Sequence, residues 1–67
     1  MQVLLNNKPI PAIEGISILA LLNEMQLQNA KGIALAVNNN IIPKQQWESF
    51  SLSENDRITI IRATQGG

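Results

Sequence analysis

Apolar residues recur along the chain at two different periods, and each change of period marks an element. Val3-Leu4-Leu5 is a short apolar run closed by Asn6-Asn7-Lys8, a turn-prone triplet that leads into a second apolar piece from Pro9 to Ile13. Together they read as an N-terminal β-hairpin. Proline has no N–H to donate, so Pro9 and Pro11 place the second strand at a sheet edge. Gly15 breaks the extended pattern, and Ser17 then offers a capping hydroxyl to a helix whose apolar positions Ile18, Leu21, Leu22 and Met25 recur at helical spacing. Ile16 and Leu21 are spaced as a hydrophobic staple. Ala20, Asn23, Glu24 and Gln26 fall on the other side, which leaves one apolar stripe to be laid on a sheet.

After Gly32 the period becomes two: Ile33, Leu35 and Val37 share one face and Ala34 and Ala36 the other. The large face is predicted to meet the helix. Asn38-Asn39-Asn40 turns the chain, Ile41-Ile42 can pair briefly, and Pro43 stands where a short helical turn through Trp47 would begin. Trp47 reads as the packing anchor of that segment, with a docking aromatic at an interface as the alternative. Ser53-Glu54-Asn55-Asp56 is a polar turn. Arg57 to Ala63 is a last strand in which Ile58 and Ile60 point one way and Thr59 and Ile61 the other. This order predicts an α+β fold of the β-grasp type, a mixed sheet of four to five strands packed on one main helix. The first and last strands are expected side by side at its centre. One domain covers residues 1–63, and residues 64–67 form a flexible tail.

Size and composition narrow the chemistry. A chain of 67 residues buries only about 60% of the surface it exposes when unfolded, so its stability margin is thin. It holds no cysteine and no histidine, which removes disulfides, thiolate nucleophiles and the usual metal ligand and proton shuttle. There is no phosphate-binding glycine loop and no carboxylate cluster with metal-ligand spacing, so no catalytic residue, metal site or bound cofactor is expected. Glu14, Glu24, Glu48, Glu54 and Asp56 read as solvated charges, with Asp56 favouring its turn. Five basic and five acidic residues cancel and are scattered, which argues against nucleic acid and for protein partners. No apolar run approaches a membrane span and the start is unlike a signal peptide, so a cytoplasmic monomer is expected.

The remaining candidate is the end of the chain, Gly66-Gly67. Two glycines without Cβ atoms make a tail slim enough to enter a narrow channel and present the last carbonyl to attack. Thr64 to Gly67 extend by roughly 13 Å. A carboxylate is a poor electrophile, so a partner must first convert it to a mixed anhydride, most simply an acyl-adenylate made from ATP. The activated carbonyl can then accept sulfur to give a thiocarboxylate or an amine to give an amide, and spacing does not choose between them. Leu4, Ala34, Ala36, Thr59 and Ile61 are predicted to form a smooth apolar patch on the outward sheet face near the tail's root. Arg57 and Arg62 are predicted to flank it and to meet acids on a partner.

The pattern resembles the ThiS family, small ubiquitin-like β-grasp sulfur carriers of thiazole formation in thiamine biosynthesis. The resemblance runs the full length. It rests on Met1-Gln2-Val3-Leu4-Leu5-Asn6, Ala36-Val37-Asn38, Ile42-Pro43-Lys44 with Trp47, Asp56-Arg57-Ile58 and terminal Gly66-Gly67. It implies that an E1-like adenylating enzyme (ThiF) activates Gly67 with ATP, that a cysteine desulfurase relay supplies sulfur, and that thiazole synthase (ThiG) takes it. Asn55 stands where the family often has glycine, a replacement that a left-handed turn tolerates. The alternatives are the related carrier of molybdopterin synthesis, whose members are usually longer, and a ubiquitin-like protein modifier.

Overall fold

A computed structural model describes residues 1–27 and 32–62. Five strands form one mixed sheet: β1 (Gln2–Leu5), β2 (Lys8–Pro11), β3 (Ile33–Val37), β4 (Asn40–Ile41) and β5 (Arg57–Arg62), in the order β2-β1-β5-β3-β4. One helix, α1 (Ile18–Glu24), and a 3-10 turn (Lys44–Gln46) complete the elements. β5 is central, parallel to β1 and antiparallel to β3.

Both hairpins turn on asparagine. Asn6 and Asn7 have φ of 49° and 70°, and Asn38 and Asn39 have 52° and 72°. A two-residue hairpin loop whose twist matches its strands needs positive φ at both central positions, and asparagine tolerates that conformation best after glycine. The second hairpin therefore closes on two asparagines, and Asn40 is already in β4. In the first, Met1 and Ala12 exchange backbone hydrogen bonds at 2.7 and 2.8 Å. Alternation then puts Val3–Ile10 and Leu5–Lys8 in hydrogen-bonded pairs, so Pro9 and Pro11 occupy positions whose N–H would face the open edge. The prolines blunt that edge without costing a ladder bond.

The helix is short, and its first turn is satisfied from far along the chain. Ser17 Oγ accepts from the Ala20 N–H, Ile18 N–H donates to Phe50 O, and Leu19 N–H donates to Trp47 O. These are the donors that a helix start leaves orphaned. At the other end Leu27 N–H reaches Leu22 O and Gln26 N–H reaches Asn23 O, a Schellman closure with Gln26 at φ 60°. Ile18, Leu21 and Leu22 face inward onto Val3, Leu35, Val37 and Ile58, and Ile42, Trp47 and Leu52 close the core from the side. Trp47 is 4% exposed and donates its indole N–H to Ile42 O at 2.8 Å. The side chain therefore anchors the 3-10 segment, and the docking alternative for Trp47 falls away.

Polar side chains of the turns stitch the strand ends together. Asn38 donates to Asp56 Oδ1 and accepts from the Arg57 N–H, both at 3.0 Å, which ties the β3–β4 turn to the start of β5. Asp56 Oδ2 accepts from the Ser53 N–H, as its turn role requires. Asn6 Oδ1 accepts from the Ile60 N–H, prolonging the β1–β5 ladder past the end of β1. Asn55 takes a φ of 67°, the left-handed turn for which asparagine is suited.

Candidate functional site

The register of β5 decides which residues face away from the helix. Paired residues share a face, and the pairs Ala34–Ile61, Ala36–Thr59 and Leu4–Arg57 put Leu4, Ala34, Ala36, Arg57, Thr59 and Ile61 together on the outer face. Leu35–Ile60 and Val37–Ile58 point to the core. Ile61 is 48% exposed, Thr59 and Arg57 are exposed, and Leu4 and Ala34 are half-buried.

Two expected patch members sit differently. Arg62 pairs with Ile33 and so belongs by alternation to the helix side of the sheet; it does not flank the outer patch. Of the two arginines only Arg57 shares the patch's face. Ala36 lies on the outer face but is 6% exposed, because the longer side chains of its cross-strand neighbours Thr59 and Ile41 shade its methyl. It floors the patch and adds little accessible area.

Ile41 is the residue that the pattern of the sequence did not single out. It pairs with Ala36, so it projects on the outer face, and it is 62% exposed. The two-residue Asn38-Asn39 loop was the available signal, since it fixes Ala36 opposite Ile41.

β5 ends at Arg62, five residues before Gly67 (67 − 62 = 5). Gly66 and Gly67, and the tail assigned to residues 64–67, lie outside the described residues. A shallow depression of about 340 Å³ is lined by Met1, Glu14, Gly15, Leu52, Ser53 and Glu54, none of which belongs to the patch. Among the described residues no three His, Cys, Asp or Glu side chains group closely enough to hold a metal ion. No described helix is long and apolar enough to cross a membrane.

The ThiS family model matches residues 3–67. The chain belongs to the ThiS family. Over all 67 residues it is 31% identical to the sulfur carrier protein ThiS of Escherichia coli K12, with both chains covered completely. It is 27% identical over 67 residues to protein ycf40 of Porphyra purpurea, of which it covers 93%. The crystal structure of the thiamine biosynthesis protein ThiS from Geobacter metallireducens superposes over the whole of both chains with a TM-score of 0.86 at 17% identity. The solution structure of a thiamine biosynthesis protein from the same organism gives 0.77, with 88% of that chain covered. The ThiS β-grasp fold is therefore the fold of this chain.

Proposed function

We propose that this ThiS-family chain carries sulfur for thiazole formation in thiamine biosynthesis, with the carboxylate of Gly67 as its working group. An E1-like adenylating enzyme joins that carboxylate to the AMP portion of ATP and releases pyrophosphate. The terminal sulfur of a persulfide handed on by a cysteine desulfurase relay then attacks the activated carbonyl and AMP leaves. A second thiol of the relay cleaves the resulting acyl disulfide, so that the thiocarboxylate is released and the two thiols end as a disulfide. Thiazole synthase is the acceptor. The chain is a co-substrate in this scheme and not a catalyst, and ATP belongs to the partner.

The observation that carries the reading is the full-length match to a sulfur carrier protein at 31% identity, in a chain whose final residues are Gly66-Gly67. The physics agrees with it. A scaffold without histidine or cysteine has little with which to run chemistry of its own, whereas a main-chain carboxylate needs only to be delivered. The outer face carrying Leu4, Ala34, Thr59 and Ile61 is the docking surface in this proposal.

Two measurements test it. Deleting Gly67 is expected to leave the thermal unfolding curve unchanged and to abolish ATP–pyrophosphate exchange by the adenylating enzyme. A truncated chain that still supports exchange at the full rate overturns the assignment of the working group. Mass spectrometry of the chain incubated with that enzyme, ATP and a sulfur source is expected to show one oxygen replaced by sulfur. Conjugates to protein lysines in its place would make the chain a modifier.

A further inference from the structure

We infer that residues 42–52 form a strap latched by Trp47, and that this strap and the first turn of α1 open and close as one unit while β5 stays paired with β1 and β3. Each part of the unit supplies what the other lacks.

Three backbone hydrogen bonds cross between the two stretches. Ile18 N–H donates to Phe50 O at 3.0 Å, Leu19 N–H to Trp47 O at 2.9 Å, and Leu52 N–H to Ile16 O at 2.8 Å; Ser17 and Ser51 form an antiparallel bridge between them. The helix's own cap covers the Ala20 N–H, through Ser17 Oγ, and the two donors before it are covered by the strap. α1 has seven residues, and isolated helices shorter than ~12–15 residues are marginal in water, so its first turn depends on these outside acceptors. Lifting the strap strips the Ile18 and Leu19 N–H groups of their partners, and the turn frays with it.

Trp47 is the latch because it is held at both ends. Its indole N–H donates to Ile42 O while its own carbonyl receives the Leu19 N–H, so the seat of the ring sets the position of the acceptor that the helix uses. Ile42 N–H in turn donates to Leu35 O, which pins the start of the strap to β3, and Leu52 pins its end in the core at 2% exposure. Around the latch the strap is open to solvent, with Lys44, Gln45, Gln46, Glu48 and Ser49 all exposed. β5 is placed differently. It is laddered to β1 on one side and β3 on the other, two strands outside the strap. Short exposed segments held by few bonds open at lower free energy than the central ladders of a sheet.

The test is native-state hydrogen exchange of the full chain, read residue by residue by NMR. The probes of the unit are the amides of Ile18, Leu19 and Leu52 and the Trp47 indole; the reference is the Thr59 amide. Asn38 N–H donates to Arg57 O, so alternation makes Thr59–Ala36 a hydrogen-bonded pair of the β3–β5 ladder. The four probes are expected to share one protection factor, about tenfold or more below that of Thr59. Ser17→Ala removes the helix's own cap and touches no bond of the strap, yet it is expected to speed exchange at Leu52 and at the Trp47 indole by about fivefold, the typical worth of an N-cap. Trp47→Phe deletes the latch and is expected to speed exchange at Ile18 and Leu19 by about tenfold or more. Four probes as protected as Thr59 would mean that the chain opens only as a whole, and the inference falls. It falls equally if the probes are less protected but Ser17→Ala leaves Leu52 and the indole unmoved, since the helix start and the strap then fray separately. Should Trp47→Phe not fold, the Ser17→Ala comparison decides.

Discussion

Replacing Ile61 by aspartate sets the stability of the fold against its proposed recognition surface, because Ile58 and Ile60 on the same strand pack into the core. Ile61 is 48% exposed, so about half of an isoleucine's burial energy is at stake. Full burial is worth about 1.5–3 kcal/mol, which makes that loss about 1 kcal/mol. The poorer strand propensity of aspartate adds up to about 1 kcal/mol more. A domain of this size has a total stability of roughly 3–10 kcal/mol at about 0.05–0.15 kcal/mol per residue. Ile61→Asp is therefore expected to remain folded, with a cost near 2 kcal/mol. Ile58, three residues earlier, is 1% exposed and faces the helix. An aspartate there is an unpaired charge in the core, at a cost that exceeds the whole margin. Trp47 is the single tryptophan and is buried, so urea unfolding of both variants can be followed by its fluorescence. The expected pattern is a cooperative transition at lower urea for Ile61→Asp, none for Ile58→Asp, and loss of binding to the adenylating enzyme in the folded variant. A cost for Ile61→Asp as large as that for Ile58→Asp would refute the register, since a slip of one residue exchanges the two faces.

Substitutions at three other positions probe the scaffold. Trp47→Phe keeps an aromatic ring but deletes the donor to Ile42 O; an unsatisfied buried carbonyl and a smaller ring are expected to cost about 2–4 kcal/mol, read by circular dichroism in urea. Gly15 has φ of 78° and nothing within 4 Å of an added Cβ, so Gly15→Ala is expected to lose about 1–2 kcal/mol from backbone strain alone, and Gly15→Asn less, in the same assay. Gln26 closes α1 at φ 60°, and Gln26→Gly is expected to raise the Tm by relieving about 0.5–1 kcal/mol of strain net of glycine's extra chain entropy.

Most of the architecture was legible from local rules. Ser17 caps the helix, Pro9 and Pro11 mark an edge strand, the large-small alternation of residues 33–37 gives both faces of β3, and Pro43 opens the turn that Trp47 anchors. These positions obey short-range chemistry, so a sequence states them directly. Element ends were less legible, since β2 stops at Pro11 where the apolar pattern runs on to Ile13. Arg62 does not flank the outer patch as expected, because strand parity sets it opposite Ile33 on the helix side of the sheet. The capping of α1 by the Phe50 and Trp47 carbonyls, more than 25 residues away in sequence, depends on tertiary contact that no local pattern encodes. Ile41 lay between these cases, because its face follows from the hairpin once the loop is fixed at two residues.

The working group in this proposal belongs to a tail, and that frees the fold from a constraint that enzymes carry. Nothing has to be kept open inside, so the core among the described residues holds buried apolar side chains and no buried polar one. In the proposed scheme recognition is assigned to the other side of the same sheet. β5 serves both tasks at single-residue resolution: Ile58 and Ile60 hold the helix, while Arg57, Thr59 and Ile61 look outward. Like β1 and β3 it has ladder partners on both edges, and it occupies the middle of the five-stranded sheet. In this proposal the working group follows β5 in sequence, so a partner that grips the outer face also holds the strand that leads to it. The same economy makes the design brittle to insertion. One extra residue inside β5 would turn Ile61 inward and Ile60 outward, and would spoil the core and the docking face in a single step.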